Sequence, residues 1–240
     1  MTELHRRAFL TLTVAALVSP KGFTATAAPW ADAVIVNALG GLENPNPHSE
    51  KEGSSQREYW TQGSRVMREA FASGLTAVNL TLGYVSGEME PFEATIREIA
   101  STDADIRANP KDLLKVHTAA DILRAKAEKK VGLIYGFQNA AMVGKDASRV
   151  DIFAGLGVRV IQLTYNPANQ LGDGSVAPEN RGLTAFGHEV VERLNANRVM
   201  VDLSHSGEHT CLDAARASKQ PISINHTGCR ALLELAPTAA

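Results

Sequence analysis

Short β-branched runs that alternate with segments of helical period predict an α/β fold on a parallel sheet, of the (β/α)8 TIM-barrel type but incomplete, with about six β/α units. Three observations carry this reading. Strand-like and helix-like stretches follow one another through most of the chain. Successive strands end in polar side chains, Asn37, Gln138, Tyr165, His205 and His226, as expected of a fold whose site lies along one sheet edge. Finally, the 240 residues stop short of the eight units that a closed barrel needs. Leu232 to Ala240 holds no further strand, so the fold is either an open sheet or the amino-terminal piece of a longer protein.

Ala33-Val-Ile-Val36 is a β-branched run and reads as a first buried strand, followed by a long loop rich in Asn, Pro, Ser and Gly from Glu43 to Gln62. Gly63 to Ala72 is helical in pattern, and Leu75 to Leu82 makes a second strand. Phe92, Ile96, Ile99 and Ile106 keep a helical period between Pro91, suited to a first turn, and Asn109-Pro110. Leu113-Leu-Lys-Val116 is a candidate short strand. Thr118, with Asp121 three residues on, caps a helix to Lys129. Val131 to Gly136 is the next strand. A helix from Ser148 to Leu156, closed by Gly155 or Gly157, leads into the strand Val158 to Thr164. Leu183, Phe186, Val190, Val191 and Leu194 line one face of a helix that feeds the strand Arg198 to His205. A helix from about Glu208 to Ala217 then joins it to a last strand, Pro221 to His226.

With 44% hydrophobic residues the chain can bury a substantial core. A net charge of −2 gives no sign of nucleic acid or an anionic membrane as partner. Met1 to about Ala27 has the order of an export signal of the twin-arginine type: Arg6-Arg7, an apolar run to Val18 too short to span a bilayer, and Ala25-Thr-Ala27 for cleavage. It assigns the mature protein to the periplasm or the extracellular space. A frayed amphipathic terminus is the alternative. Further on, no apolar run approaches 20 residues, which argues against a transmembrane anchor. The cysteines are Cys211 and Cys229; a disulfide between them is geometrically conceivable, and two unpaired, buried thiols is the reading preferred.

Parallel strands joined by a crossover helix present their carboxyl ends on one edge, so His205 and His226 are expected to approach one another and share a metal ion, with ring nitrogens within about 5 Å. Neutral imidazole is a common metal ligand. A strand-end histidine that merely satisfies hydrogen bonds is the structural alternative.

The stretch from Gly155-Leu-Gly-Val-Arg159 through Leu163-Thr-Tyr-Asn166, Gly172-Asp-Gly174, Gly182-Leu-Thr-Ala-Phe-Gly187, Val201-Asp-Leu-Ser-His205 and Asn225-His-Thr-Gly-Cys-Arg-Ala-Leu232 resembles the membrane dipeptidase (renal dipeptidase) family of zinc peptidases. The resemblance extends over most of the chain from about Ala33, so that residues 28–240 correspond to a partial metallo-dipeptidase-like barrel. It implies a small peptide as substrate and zinc as cofactor, and leaves room for a homodimer. It also implies that His205 and His226 bind one zinc ion. Arg230 would pair with the substrate carboxylate, a task suited to a bidentate guanidinium. Tyr165 stands where the family places a substrate-binding histidine and could still donate a hydrogen bond.

This sequence also departs from the family pattern. The His-x-Asp pair that ends the family's first strand reads Asn37-Ala38-Leu39 here, and Gln138 replaces the glutamate that bridges both metals. A neutral amide is a far poorer zinc ligand than a carboxylate, so at most one ion is expected. The family's late catalytic aspartate has no counterpart up to Ala240, and no catalytic residue is assigned. Two functions follow: a metal-dependent dipeptidase, or a non-catalytic dipeptide-binding relative that has lost its metals. Another hydrolase chemistry finds no support, since Gly-x-Ser-x-Gly, His-Glu-x-x-His and phosphate-loop motifs are all missing from the sequence.

Overall fold

The computed structural model describes residues 32–43, 60 and 63–228. The export-signal stretch, most of the loop after Glu43, Cys229, Arg230 and Leu232 to Ala240 lie outside the described residues.

Among the described residues, seven parallel strands form one sheet: β1 (Val36–Gly40), β2 (Ala77–Thr81), β3 (Leu113–Val116), β4 (Val131–Phe137), β5 (Val158–Gln162), β6 (Met200–Asp202) and β7 (Ile222–Ser223). Six α-helices stand between these described strands: α1 (Arg65–Ala72), α2 (Pro91–Ala108), α3 (Ala119–Ala127), α4 (Arg149–Gly155), α5 (Ala185–Ala196) and α6 (Glu208–Ala217). The strand order β1-β2-β4-β5-β6-β7 is that of an incomplete (β/α) barrel wall. β3 is set apart. It pairs with residues 131–134 of β4, whereas β5 pairs with residues 135–137 of the same strand, so the six main strands expected from the sequence are the continuous wall.

Local chemistry fixes the helix starts. The Ser64 hydroxyl accepts the Met67 N–H at 3.2 Å, and the Thr184 hydroxyl accepts the Gly187 N–H at 2.9 Å. Pro91 occupies the first turn of α2. The Asp121 carboxylate takes the N–H groups of His117 and Thr118 at 3.0 and 2.9 Å. At the end of α4 the chain turns through Gly157 at φ 93°, a left-handed conformation that glycine adopts without steric cost.

β4 is buried on both faces, as a near-continuous apolar strand in a helix-covered parallel sheet should be. Phe153 of α4 packs edge-on against Phe137 with ring centroids 5.0 Å apart, and Val190, Val191 and Leu194 of α5 are buried in the same core.

β1 departs from the sequence reading. It begins at Val36, where the apolar run was expected to end, and it is not buried: Val34 and Val36 are 44% and 43% exposed. The physical reason is its place at the end of the strand order, with pairing to β2 alone among the described residues. Thr76 holds Ile35 instead, accepting its N–H on the side-chain oxygen at 3.1 Å and donating its own N–H to the Ile35 carbonyl at 2.8 Å. β6 and β7 are also shorter than expected, so His205 and His226 each lie three residues past a strand end.

Candidate active site

Because every strand runs the same way, the carboxyl ends of β1, β4, β5, β6 and β7 share one edge, and Gln138, Tyr165, His205 and His226 follow strand ends along it; Asn37, expected there too, is instead the second residue of β1, in register with Val78, because the strand starts later than its apolar run. The structure brings three of them into one cluster. The His205 and His226 rings lie 4.8 Å apart between centroids at 60°, and the Tyr165 ring stacks on His205 at 4.4 Å and 27°. Gln138 follows β4 and is half-buried, with its carbonyl accepting the Gln162 amide N–H at 2.6 Å. Asn37 and Leu39 lie in β1. The Asn37 side-chain oxygen is occupied by the Leu39 N–H at 3.2 Å, and Leu39 lines a cavity of about 300 Å³ together with Leu42, Glu43, Trp60 and Leu80.

His205 sits in the left-handed region, with φ at 57°. That conformation is costly for a side chain with a Cβ and persists where surroundings over-determine it. Here they do: the His205 carbonyl accepts the Ser175 N–H at 2.7 Å and the Thr164 hydroxyl at 3.3 Å. Its Nδ1 lies 2.7 Å from the Asn166 side-chain oxygen. An amide oxygen can only accept, so Nδ1 carries the proton and Nε2 keeps its lone pair. Burial, and then the neighbouring His226, push the His205 imidazole below its ordinary range, with Asp202 opposing; this favours the neutral ring a metal needs.

His226 differs in having both ring nitrogens buried with no hydrogen-bond partner among the described residues. Buried polar atoms of this kind are satisfied in a native fold by a water, an ion or a ligand. The two imidazoles could hold a single ion, through Nε2 of His205 and one nitrogen of His226. The carboxylate half does not fit a second: Asn37, Leu39 and Gln138 bring no anionic group, and among the described residues no three of His, Cys, Asp and Glu converge on one point. Asp202, the nearest carboxylate in sequence, is 2% exposed and spends both oxygens on hydrogen bonds from Ser204 and Asn225.

Several residues of this cluster were not singled out from the sequence. Asn139 donates to the Val85 carbonyl at 2.9 Å and accepts from Asn169 at 3.1 Å, so it clasps the loops after β2, β4 and β5. Asn166 orients His205, and Asp173 anchors the Gly172–Gly174 strap by accepting the Arg181 backbone N–H at 2.6 Å and guanidinium N–H groups at 2.9 and 3.1 Å. The signal that could have found them is their position, since each immediately follows or lies within a strand-end motif. Cys211 is a free, half-buried thiol, with burial pushing it above its ordinary range.

The sequence profile of the membrane dipeptidase family, peptidase family M19, matches residues 42–236. A dipeptidase of Claviceps purpurea is 32% identical over 119 residues, covering 49% of this chain and 28% of that protein. Dipeptidase 3 of Rattus norvegicus is 26% identical over 127 residues, or 50% of this chain and 26% of the relative. Among solved structures, an amidohydrolase from Pseudomonas aeruginosa superposes with a TM-score of 0.70 at 31% identity, covering 85% of this chain and 56% of that one. A metallopeptidase from Rhodobacter sphaeroides, liganded with a phosphinate mimic of the dipeptide L-Ala-D-Ala, shares the fold at 18% identity and a TM-score of 0.69, covering 82% of this chain and 66% of the other. The chain thus spans well under half of those two curated relatives and somewhat over half of the solved structures. Motifs that run in family order from β5 to β7, paired imidazoles at the carboxyl edge of a parallel barrel wall, and a profile match over most of its length together place this chain in the membrane dipeptidase family of hydrolases.

Proposed function

We propose that this protein is a metal-dependent dipeptidase of reduced metal complement, hydrolysing the peptide bond of dipeptides with one zinc ion held by His205 and His226. The observation that carries the reading is His226, whose ring centroid lies 4.8 Å from that of His205 and whose two ring nitrogens are buried with no hydrogen-bond partner among the described residues. Zinc in such a seat supplies Lewis-acid polarisation of the scissile carbonyl and a more acidic water. This chain's own residues do the rest. Tyr165, stacked on His205, offers a phenolic hydrogen bond at the same edge, and Arg230 offers a bidentate guanidinium to the terminal carboxylate. Asn166 keeps the proton on Nδ1 of His205, so that Nε2 remains a ligand.

The same reading makes Met1–Ala27 an export signal and the periplasm or the extracellular space the working compartment. Among the described residues no helix is long and apolar enough to cross a membrane.

One observation favours a second reading. The amides and leucine at 37, 39 and 138 leave the site short of anionic ligands, as in a non-catalytic dipeptide-binding relative. Metal analysis of chelator-washed, zinc-reloaded protein, run beside a dipeptide hydrolysis assay and calorimetric titration with a dipeptide, separates the two. One zinc per chain, lost in His205→Ala and His226→Ala together with hydrolysis, is expected. Dipeptide binding with no zinc retained establishes the non-catalytic reading, and two tightly held ions overturn the assignment of the missing ligands.

A further inference from the structure

β7 is two residues long and only half-buried, and its pairing to β6 consists of the registers Val201↔Ile222 and Asp202↔Ser223. So short a ladder is weak support for a side chain three residues beyond it, yet His226 lies packed against His205. The support comes from Asp202. Its Oδ1 accepts the Ser204 N–H at 2.9 Å, the Ser204 hydroxyl at 2.7 Å and the Asn225 N–H at 3.2 Å, while Oδ2 accepts the Asn225 side-chain amide at 2.9 Å. The Ser204 hydroxyl in turn accepts the His226 N–H at 3.2 Å. One buried carboxylate therefore reaches both histidines: it shapes the turn from Asp202 to Ser204 that leads into His205, and through Ser204 and Asn225 it fastens the backbone that carries His226.

We propose that Asp202 is the positioning residue of this site, a carboxylate that sets His226 against His205 and does not itself ligate. Both its oxygens are engaged, Oδ1 by three donors and Oδ2 by the Asn225 amide, and it is 2% exposed, so the carboxylate is committed to holding this turn. Fixed outer groups of this kind orient ligand side chains and cost affinity when lost. The inference concerns the site of the proposed dipeptidase, but it is a statement about ring placement and stands or falls without metal or peptide.

The test is NMR on the 240-residue chain with ring-labelled histidine, reading the contact between His205 and His226 ring protons. Asp202→Asn keeps an acceptor for Ser204 but turns an NH2 group toward the Asn225 amide, placing donor against donor. Loss of the ring-to-ring contact is expected in Asp202→Asn and in Ser204→Ala. It should return in the double variant Asp202→Asn, Asn225→Asp, where donor and acceptor are exchanged. Val190→Ala, a truncation in the core on α5, should lower the melting temperature and leave the contact in place. Persistence of the contact in folded Asp202→Asn overturns the proposal, as does its loss in Val190→Ala or its failure to return in the double variant. Where Asp202→Asn does not fold, Ser204→Ala decides, since it removes one hydroxyl and keeps the carboxylate; an unchanged contact there overturns the proposal equally.

Discussion

The Ser175 backbone N–H donates to the carbonyl of His205 at 2.7 Å, so the strap after Gly172 is tied directly to the residue that carries a candidate metal ligand. The strap can run so close because position 174 has no side chain: a Cβ there would collide with the carbonyl oxygens of Tyr165, Asn166 and Pro167. Gly174→Ala should therefore push Ser175 away from His205 and cost about 1–3 kcal/mol, the usual range for overpacking. Thermal or urea unfolding measures the cost. An unchanged midpoint would show that the strap has slack.

Behind the sheet, Asp103 of α2 accepts the Tyr135 hydroxyl at 2.7 Å and the Lys115 ammonium at 2.8 Å, and Lys115 also donates to the Leu156 carbonyl at 2.7 Å. Burial, and then the bond to Asp103, hold the Tyr135 phenol above its ordinary value. Tyr135→Phe removes one bond and leaves Asp103 paired, which should cost about 1 kcal/mol. Lys115→Met leaves both Asp103 and Leu156 short of a donor and should cost more. Denaturant melts of the two variants check that order, and a larger loss in Tyr135→Phe would mean that the lysine is not the centre of the cluster.

The sequence revealed the sheet through its apolar runs, because β2, β4 and β5 are buried strands whose composition needs no tertiary context. It misplaced β1 because an apolar run looks the same at the exposed end of a sheet as in its middle. His205 and His226 were legible as strand-end residues in recognisable motifs. The hydrogen bonds that hold them were not: Asn139, Asn166, Asp173 and Asp202 join segments up to 54 residues apart, and no local pattern announces such partners. The left-handed backbone at His205 was equally hidden, since it is imposed by the strap and not by the identity of the residue.

Glu98 of α2 is half-buried and accepts the Gly83 N–H at 2.6 Å. Burial raises its carboxyl above the ordinary value, and the Gly83 bond opposes this only in part. A carboxyl whose folded value lies above its unfolded one contributes stability that is fully present below the unfolded value and lost as pH rises through the folded value. Glu98→Gln cannot ionise, and its amide oxygen still accepts the Gly83 N–H. It should therefore melt above the wild type at about pH 7, with the gap closing by about pH 4, where wild-type Glu98 is largely protonated. A gap that widens on acidification would reverse the sign assigned to the shift.

Gln138 occupies the carboxyl end of β4, with its backbone carbonyl pinned by Gln162 at 2.6 Å. A carboxylate placed there would add an anionic oxygen beyond the Asp202 carboxylate, which is engaged by Ser204 and Asn225, and the pinned backbone limits the rearrangement needed to accommodate it. Gln138→Glu should thus tighten zinc binding by roughly tenfold or more, on the scale by which single changes around a metal alter its affinity. The gain should vanish when His226→Ala is combined with it, because the added oxygen then has only one imidazole to work with. Competition titration against a chromophoric chelator reads both variants without relying on turnover. An affinity equal to that of the wild type would show that residue 138 does not face the two imidazoles, and would remove the amide at this position as the reason for a single-ion site.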